Sequence, residues 1–159
     1  MALDPVTFRS VLGRFASGIT VVTTRDDAGR DHGLTVSAFC SLSLEPPMVL
    51  ICVDRTASLH PVLLAAPAFA VSILSAGQES LSRRFAEPDA ELRFEEVGFT
   101  RGPSGAALID DALAHLECRV VQRIDGGDHT IFMAEVEWTD VHAERPLLYY
   151  RGGYAQLER

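Results

Sequence analysis

The sequence predicts a mainly β fold with short helices at the ends of a closed or nearly closed barrel. Three observations predict it. Several segments read as strands, against two or three short helical ones. Residues 34–44 alternate apolar and polar with period two, the periodicity of a strand. Asp125-Gly126-Gly127-Asp128 stands between two long strand-like runs, a strong hairpin signal. At 159 residues, 47% of them hydrophobic, the chain reads as one domain over 1–159 with a real core.

The elements follow in order. Asp4-Pro5 is a helix start, and Phe8, Val11, Leu12 and Phe15 give that helix one apolar stripe up to Gly18. Ile19 to Thr24 is rich in β-branched residues and reads as a strand, with Asp26 to Gly29 as the turn behind it. The alternating strand ends at Pro46-Pro47, which cannot continue a ladder. Met48 to Val53 is continuously apolar, as for a strand buried on both faces. Ser58 is the expected N-cap of a helix near 59–66. Phe69 to Leu74 is another strand. Ser75 and Gln78 have the spacing of a capping box before a helix carrying Leu81 and Phe85. Residues 87–105 are acidic, lack periodicity and read as a long excursion, with Glu95, Glu96 and Phe99 in reach of a lid role. His115 to Ile124 and Thr130 to Val141 form the hairpin, and Leu147 to Tyr150 is the last strand before Gly152-Gly153.

One strand carries an unusual face. Leu34, Val36, Ala38, Cys40, Leu42 and Leu44 share one parity; Thr35, Ser37, Phe39, Ser41 and Ser43 share the other. Short hydroxyls around one aromatic suit a flat polar ligand, and equally suit an exposed strand that tolerates Ser and Thr. Met48 to Val53 empties into Asp54-Arg55-Thr56-Ala57-Ser58 at a helix start. Free backbone N–H groups there, with Arg55, suit a phosphate or simply a capped helix.

Composition excludes several functions. All 14 basic residues are Arg, so a lysine Schiff base and a phosphate-loop lysine are absent. A net charge of −8 without a basic stripe argues against nucleic acid. The N-terminus lacks signal-peptide features and no apolar run approaches a membrane span, so a cytoplasmic location without membrane contact is expected. Cys40, Cys52 and Cys118 are widely spaced and read as reduced thiols. The five histidines have no metal-ligand spacing, so no metal is expected. Neither a nucleophile elbow nor a dinucleotide-binding glycine fingerprint occurs. The polar groups are arranged to bind, with no evident side-chain catalyst, as where a cofactor does the chemistry.

The segments HGLTVSAF from His32, SLSLEPPMVLICVDRTAS from Ser41, RRFA at 83–86, GDHTIF at 127–132 and LLYYRGGY at 147–154 occur in that order. Together they resemble the flavin reductase-like family over about Phe8 to Tyr154. The resemblance implies a split β-barrel that binds FMN or FAD. It implies an NAD(P)H:flavin oxidoreductase that takes hydride from NADH or NADPH and hands reduced flavin to a partner flavin-dependent monooxygenase, as a homodimer. Thr35, Val36, Ser37 and Ala38 look like the strand along the isoalloxazine, with Cys40, Ser41 and Ser43 extending it. Cys52, Val53, Asp54 and Arg55 look like the second wall. Ser58 and Arg55, with Arg83 or Arg84, look like the phosphate end, and Phe85 of the RRFA segment counts among the cofactor-binding residues. Arg83 and Arg84 equally suit a helix's last turn without any ligand. His129 resembles the residue at the nicotinamide side, where it would orient the ring or neutralise developing charge. Arg151, Gly152 and Tyr154 resemble the segment completing the pocket; Phe39 and Trp138 are read as packing residues. Two alternatives stand beside this reading: a flavin-dependent oxidase of the pyridoxamine-phosphate-oxidase-like group, and a non-catalytic flavin or haem carrier.

Overall fold

Seven antiparallel strands form the central sheet of the computed structural model, which describes residues 1–158. In chain order the first elements are α1 (Pro5–Leu12), β1 (Ser17–Gly18), β2 (Thr20–Arg25), β3 (Asp31–Val36), β4 (Phe39–Ser43) and β5 (Met48–Asp54). There follow α2 (His60–Ala65), β6 (Ala68–Ile73), α3 (Glu79–Arg84), a 3-10 turn (Ala90–Leu92), β7 (Phe99–Arg101) and β8 (Ala107–Ile109). The chain closes with β9 (Ala114–Gly126), β10 (His129–Val141), β11 (Leu147–Tyr150) and β12 (Gly153–Gln156). The sheet order is β3-β2-β6-β9-β10-β5-β4. Among the described residues no helix is long and apolar enough to cross a membrane.

The two edge strands, β3 and β4, are consecutive in the chain. Ser37 and Ala38 alone carry the backbone from one edge to the other, so the edges meet there and the sheet curls. Cys52 N–H donates to Ala38 O at 3.0 Å, which carries the β4–β5 ladder one residue into the crossing. Of the closed or nearly closed barrel expected, full closure is not found, because α3 occupies the β3 edge. Thr35 N–H donates to Phe85 O at 3.1 Å, and Thr35 Oγ1 donates to Ser82 O at 2.6 Å. An edge donor satisfied by a helix is no longer free to extend a ladder.

Inside the curl lies the main core, with Val22, Val36, Val49, Ile51, Val53, Phe69, Val71 and Phe132 buried and Phe39 packed on it. Each such side chain contributes about 1.5–3 kcal/mol by leaving water. Trp138 packs on Ala70, Ala106 and Leu108. A second cluster joins Ile19, Val21, Leu74, Phe85, Ile109 and Leu147.

Several elements differ from expectation. The alternating stretch breaks at Ser37-Ala38, and its inward parity inverts there: Val36 is buried, then Phe39 turns in while Cys40, Leu42 and Leu44 face out. β5 is buried on one face only, through Val49, Ile51 and Val53. α1 stops at Leu12, where Gly13 caps it, and none of its residues is buried. Ser58 is not an N-cap: Leu59 holds that position, because the Ser58 hydroxyl accepts from Arg93 Nη1 at 3.3 Å. The Ser75–Gln78 pair forms half a capping box, Ser75 N–H donating to Gln78 Oε1 at 2.9 Å, while the Ser75 hydroxyl donates to Asp111 O. Much of the 87–105 excursion is ordered. β7 pairs with β8, Arg101 forks onto both carboxylate oxygens of Asp31, and Phe94 stacks edge-on against Phe85 and Phe99. One further strand, β12, returns on β11 through Arg151 and Gly152, both left-handed at φ 54° and 76°.

Candidate active site

The meeting of the two sheet edges leaves a cavity of about 320 Å³. Its lining comes from Leu34 to Ala38, from Cys52 to Asp54, and from Ala57, Ala86 and His129. Strand pairing explains the convergence: β10 lies on β5 with His129 opposite Asp54 and Ile131 opposite Cys52. The hairpin turn at Gly127-Asp128 presents His129 at the mouth, Gly127 being left-handed at φ 65°.

The His129 ring is 39% exposed, and its Nδ1 sits 2.7 Å from Asp128 Oδ1. Asp54 accepts from the backbone N–H and hydroxyl of Thr56, both at 2.7 Å. Those two bonds hold its carboxyl below the usual range, with His129 adding a smaller electrostatic pull. Beneath them His60 and Thr130 form a buried hydrogen bond of 2.8 Å. Burial, reinforced by nearby Cys40, raises the Cys52 thiol. Ser37, Ala38, Ala57 and Ala86 are small, so the floor exposes strand backbone and short hydroxyls. That donor set fits a planar heteroaromatic ring, which needs a flat support and a few edge contacts.

The expected site residues divide. Thr35, Val36, Ser37, Ala38, Cys52, Val53, Asp54 and His129 are brought together around this cavity. Cys40, Ser41 and Ser43 lie beyond it on β4. Val53 is buried and offers backbone only. The arginines expected at the phosphate end lie outside this cavity and have partners within the chain. Arg55 pairs with Asp125 at 2.8 Å, and Arg83 pairs with Glu79 while its guanidinium lies 4.8 Å over the Tyr154 ring. Arg84 donates to the Arg93 and Leu92 carbonyls. Phe85 cannot touch a ligand with its ring, which is fully buried against Phe94; it serves the site through the carbonyl that holds Thr35. Arg151 and Gly152 line a different cavity beside α1, with Arg151 N–H on Gly13 O at 2.9 Å. The Tyr154 hydroxyl is 2.8 Å from Ser82 Oγ.

Leu34, Ala57, Ala86 and Arg93 were not among the expected site residues. The first three are small or apolar, and only folding tells them from core residues. Arg93 is buried, makes no salt bridge among the described residues, and donates to Gly33 O at 2.7 Å, to Glu87 O and to the exposed Ser58 hydroxyl. Burial pulls its guanidinium below the usual value, against the raising influence of Asp89 and Glu87. An arginine inside an acidic stretch carries no local sign of this.

A strongly curled antiparallel sheet with a shallow candidate ligand cleft at its seam defines a mainly β protein. The particular family follows from comparison: the flavin reductase like domain matches residues 12–158, and the chain belongs to that family. An NADH-dependent FAD reductase from Streptomyces globisporus is 45% identical over 94% of this chain and 84% of its own. The reductase component of a 4-nitrophenol 4-monooxygenase/4-nitrocatechol 2-monooxygenase from Rhodococcus opacus is 43% identical, over 98% of this chain and 82% of its own. A solved NADH:FAD oxidoreductase from Streptomyces globisporus, in complex with NAD and FAD fragments, superposes with a TM-score of 0.92. It is 41% identical and covers 99% of this chain and 96% of its own.

Proposed function

We propose that this chain is an NADH-dependent flavin reductase that acts on FAD or FMN and releases the reduced flavin to a partner monooxygenase. The observation that carries the reading is the cavity at the seam, where β3, β5 and His129 supply one flat, small-residue wall and one imidazole. When bound, the flavin accepts a hydride from the nicotinamide. The chain's own residues position and polarise. Thr35 to Ala38 and Cys52 to Asp54 support the ring, held rigid by the Thr35 bonds to α3. His129, tethered to Asp128, orients the nicotinamide or offsets charge developing on the ring system. Ser58, braced by Arg93, faces solvent near the expected phosphate end.

The named activities of the relatives support NADH and FAD as the pair, and the reductase component supports an oxygenase partner. The finer readings are proposals in the same sense. The curled sheet is a split barrel, residues 1–159 act as one domain, and the protein works in the cytoplasm with its nicotinamide coenzyme. A homodimer accounts for α1, whose Val6, Phe8, Val11, Leu12 and Phe15 are all exposed. Such a surface is what a second copy would cover.

The test is NADH consumption by the purified chain, followed by nicotinamide absorbance, with and without added FAD or FMN. Turnover that depends on added flavin is expected. No turnover with either flavin, with NADH or NADPH, would overturn the reading.

A further inference from the structure

At the end of β10 opposite His129, three potential metal ligands converge. His115 on β9 is the register partner of Asp140 on β10. His142 follows just past the strand, its backbone N–H held by Leu113 O at 2.8 Å. One ligating atom from each of His115, Asp140 and His142 lies within 4.8 Å of the other two. His142 Nε2 and Asp140 Oδ2 are 3.1 Å apart. Tetrahedral bonds of about 2.1 Å set ligand atoms roughly 3.4 Å apart, so that edge is already near its bound length. The two imidazoles stand edge to face with centroids 6.0 Å apart.

His115 is prepared in a further way. It is buried, and its Nε2 lies 2.7 Å from the Ile109 carbonyl. A carbonyl only accepts, so Nε2 carries a proton, and the tautomer this selects has its lone pair on Nδ1. Histidines that ligate metals are typically held this way, the other ring N–H donating to a backbone carbonyl or carboxylate.

We propose that His115, Asp140 and His142 form a binding site for a divalent transition-metal ion of the zinc type. Two imidazole nitrogens and one carboxylate oxygen are its ligands, with a fourth position open to water. This donor set suits zinc and its neighbours; magnesium and calcium call for more oxygens. The ion would tie β9 to the chain leaving β10, remote from the flavin cavity, and its role would be to hold that end of the hairpin.

The test is calorimetric titration of Zn²⁺ into the metal-free full chain, with Co²⁺ titrated in parallel and read by visible absorption. One ion per chain is expected, with a Kd of roughly micromolar order and cobalt bands of a four-coordinate site. His142→Ala and Asp140→Asn are each expected to weaken binding at least ~10-fold. Both side chains are at least partly exposed, so these variants are expected to melt with the wild-type chain when metal is absent. Asp128→Asn tests the other histidine–carboxylate group, Asp54–Asp128–His129, and is expected to leave the affinity unchanged. The absence of saturable 1:1 binding would overturn the proposal. So would affinity unchanged in both His142→Ala and Asp140→Asn, or binding lost in Asp128→Asn.

Discussion

The two parts of the expected site came out of folding differently. Residues 35–38, 52–54 and 129, far apart in the chain, line one cavity, and the expected arginines do not line it. Arg55, Arg83 and Arg84 are each engaged by a carboxylate or a carbonyl, and a different arginine, Arg93, reaches Ser58. Strand faces are a local property, and a β ladder passes them directly into space. An arginine sits on a long flexible stem, and its partner is chosen by whatever the fold brings near.

That contrast can be broken at the wall. Ala38 is exposed at the seam where the edges meet. Ala38→Phe is expected to fill the cavity and lower kcat/KM for flavin by roughly 100-fold, about 2.7 kcal/mol, with the thermal transition near wild type. A near-normal rate in a folded Ala38→Phe chain would move the ring elsewhere.

Gly33 tests the support behind the wall. A Cβ at Gly33 would stand 2.6 Å from Phe85 Cε1 and 3.2 Å from Phe94 Cζ, both on packed rings. Gly33→Ala is expected to destabilise the chain by about 1–3 kcal/mol, read as a lower denaturation midpoint. An unchanged midpoint would mean the Phe85–Phe94 pair yields freely and does not brace β3.

The arginine end should give the smaller effects. Arg83→Ala and Arg55→Ala each remove a solvent-exposed ion pair worth about 0–1 kcal/mol, so stability and KM for FAD should shift less than roughly twofold. A rise of roughly tenfold in KM for FAD, with riboflavin unaffected, would restore them to the phosphate end.

Thiol chemistry sharpens the map of the curl at the smallest scale. Cys118 is buried, and burial beside Glu117 and Glu137 pushes its thiol up to about 12. Reactivity requires the thiolate, so Cys118 should resist alkylation in the native chain across neutral and mildly alkaline pH. Cys40 is exposed on β4 and should react first, with Cys52 slower because burial raises its thiol. Rapid loss of Cys118 before Cys40, followed by mass spectrometry of peptides, would contradict this sheet order.

Much of the sheet was legible because its signals are short-range. Asp4-Pro5 starts α1, with Asp4 Oδ2 taking Thr7 N–H at 3.0 Å, and the Gly127 turn joins β9 to β10 as read. His129 was legible as a residue placed by that turn. What escaped was decided by distant partners. The break at Ser37-Ala38 arises because the chain must cross between two edges, and nothing in the alternation itself reports the crossing. The ordered 87–105 segment escaped for the same reason. Its anchors, Gly33 O for Arg93 and Asp31 for Arg101, lie on β3, far earlier in the chain. Ser58 has the identity of a cap, but Leu59 holds that position and the Ser58 hydroxyl accepts from Arg93.

In the proposed reaction nicotinamide lies beside His129 and flavin on the wall of β3 and β5. Steady-state NADH oxidation by His129→Ala, with NADH and FAD each varied, tests it most directly. The expected result is a KM for NADH raised roughly tenfold, about 1.4 kcal/mol, with the KM for FAD nearly unchanged. Kinetic constants for NADH matching the wild-type chain would contradict it.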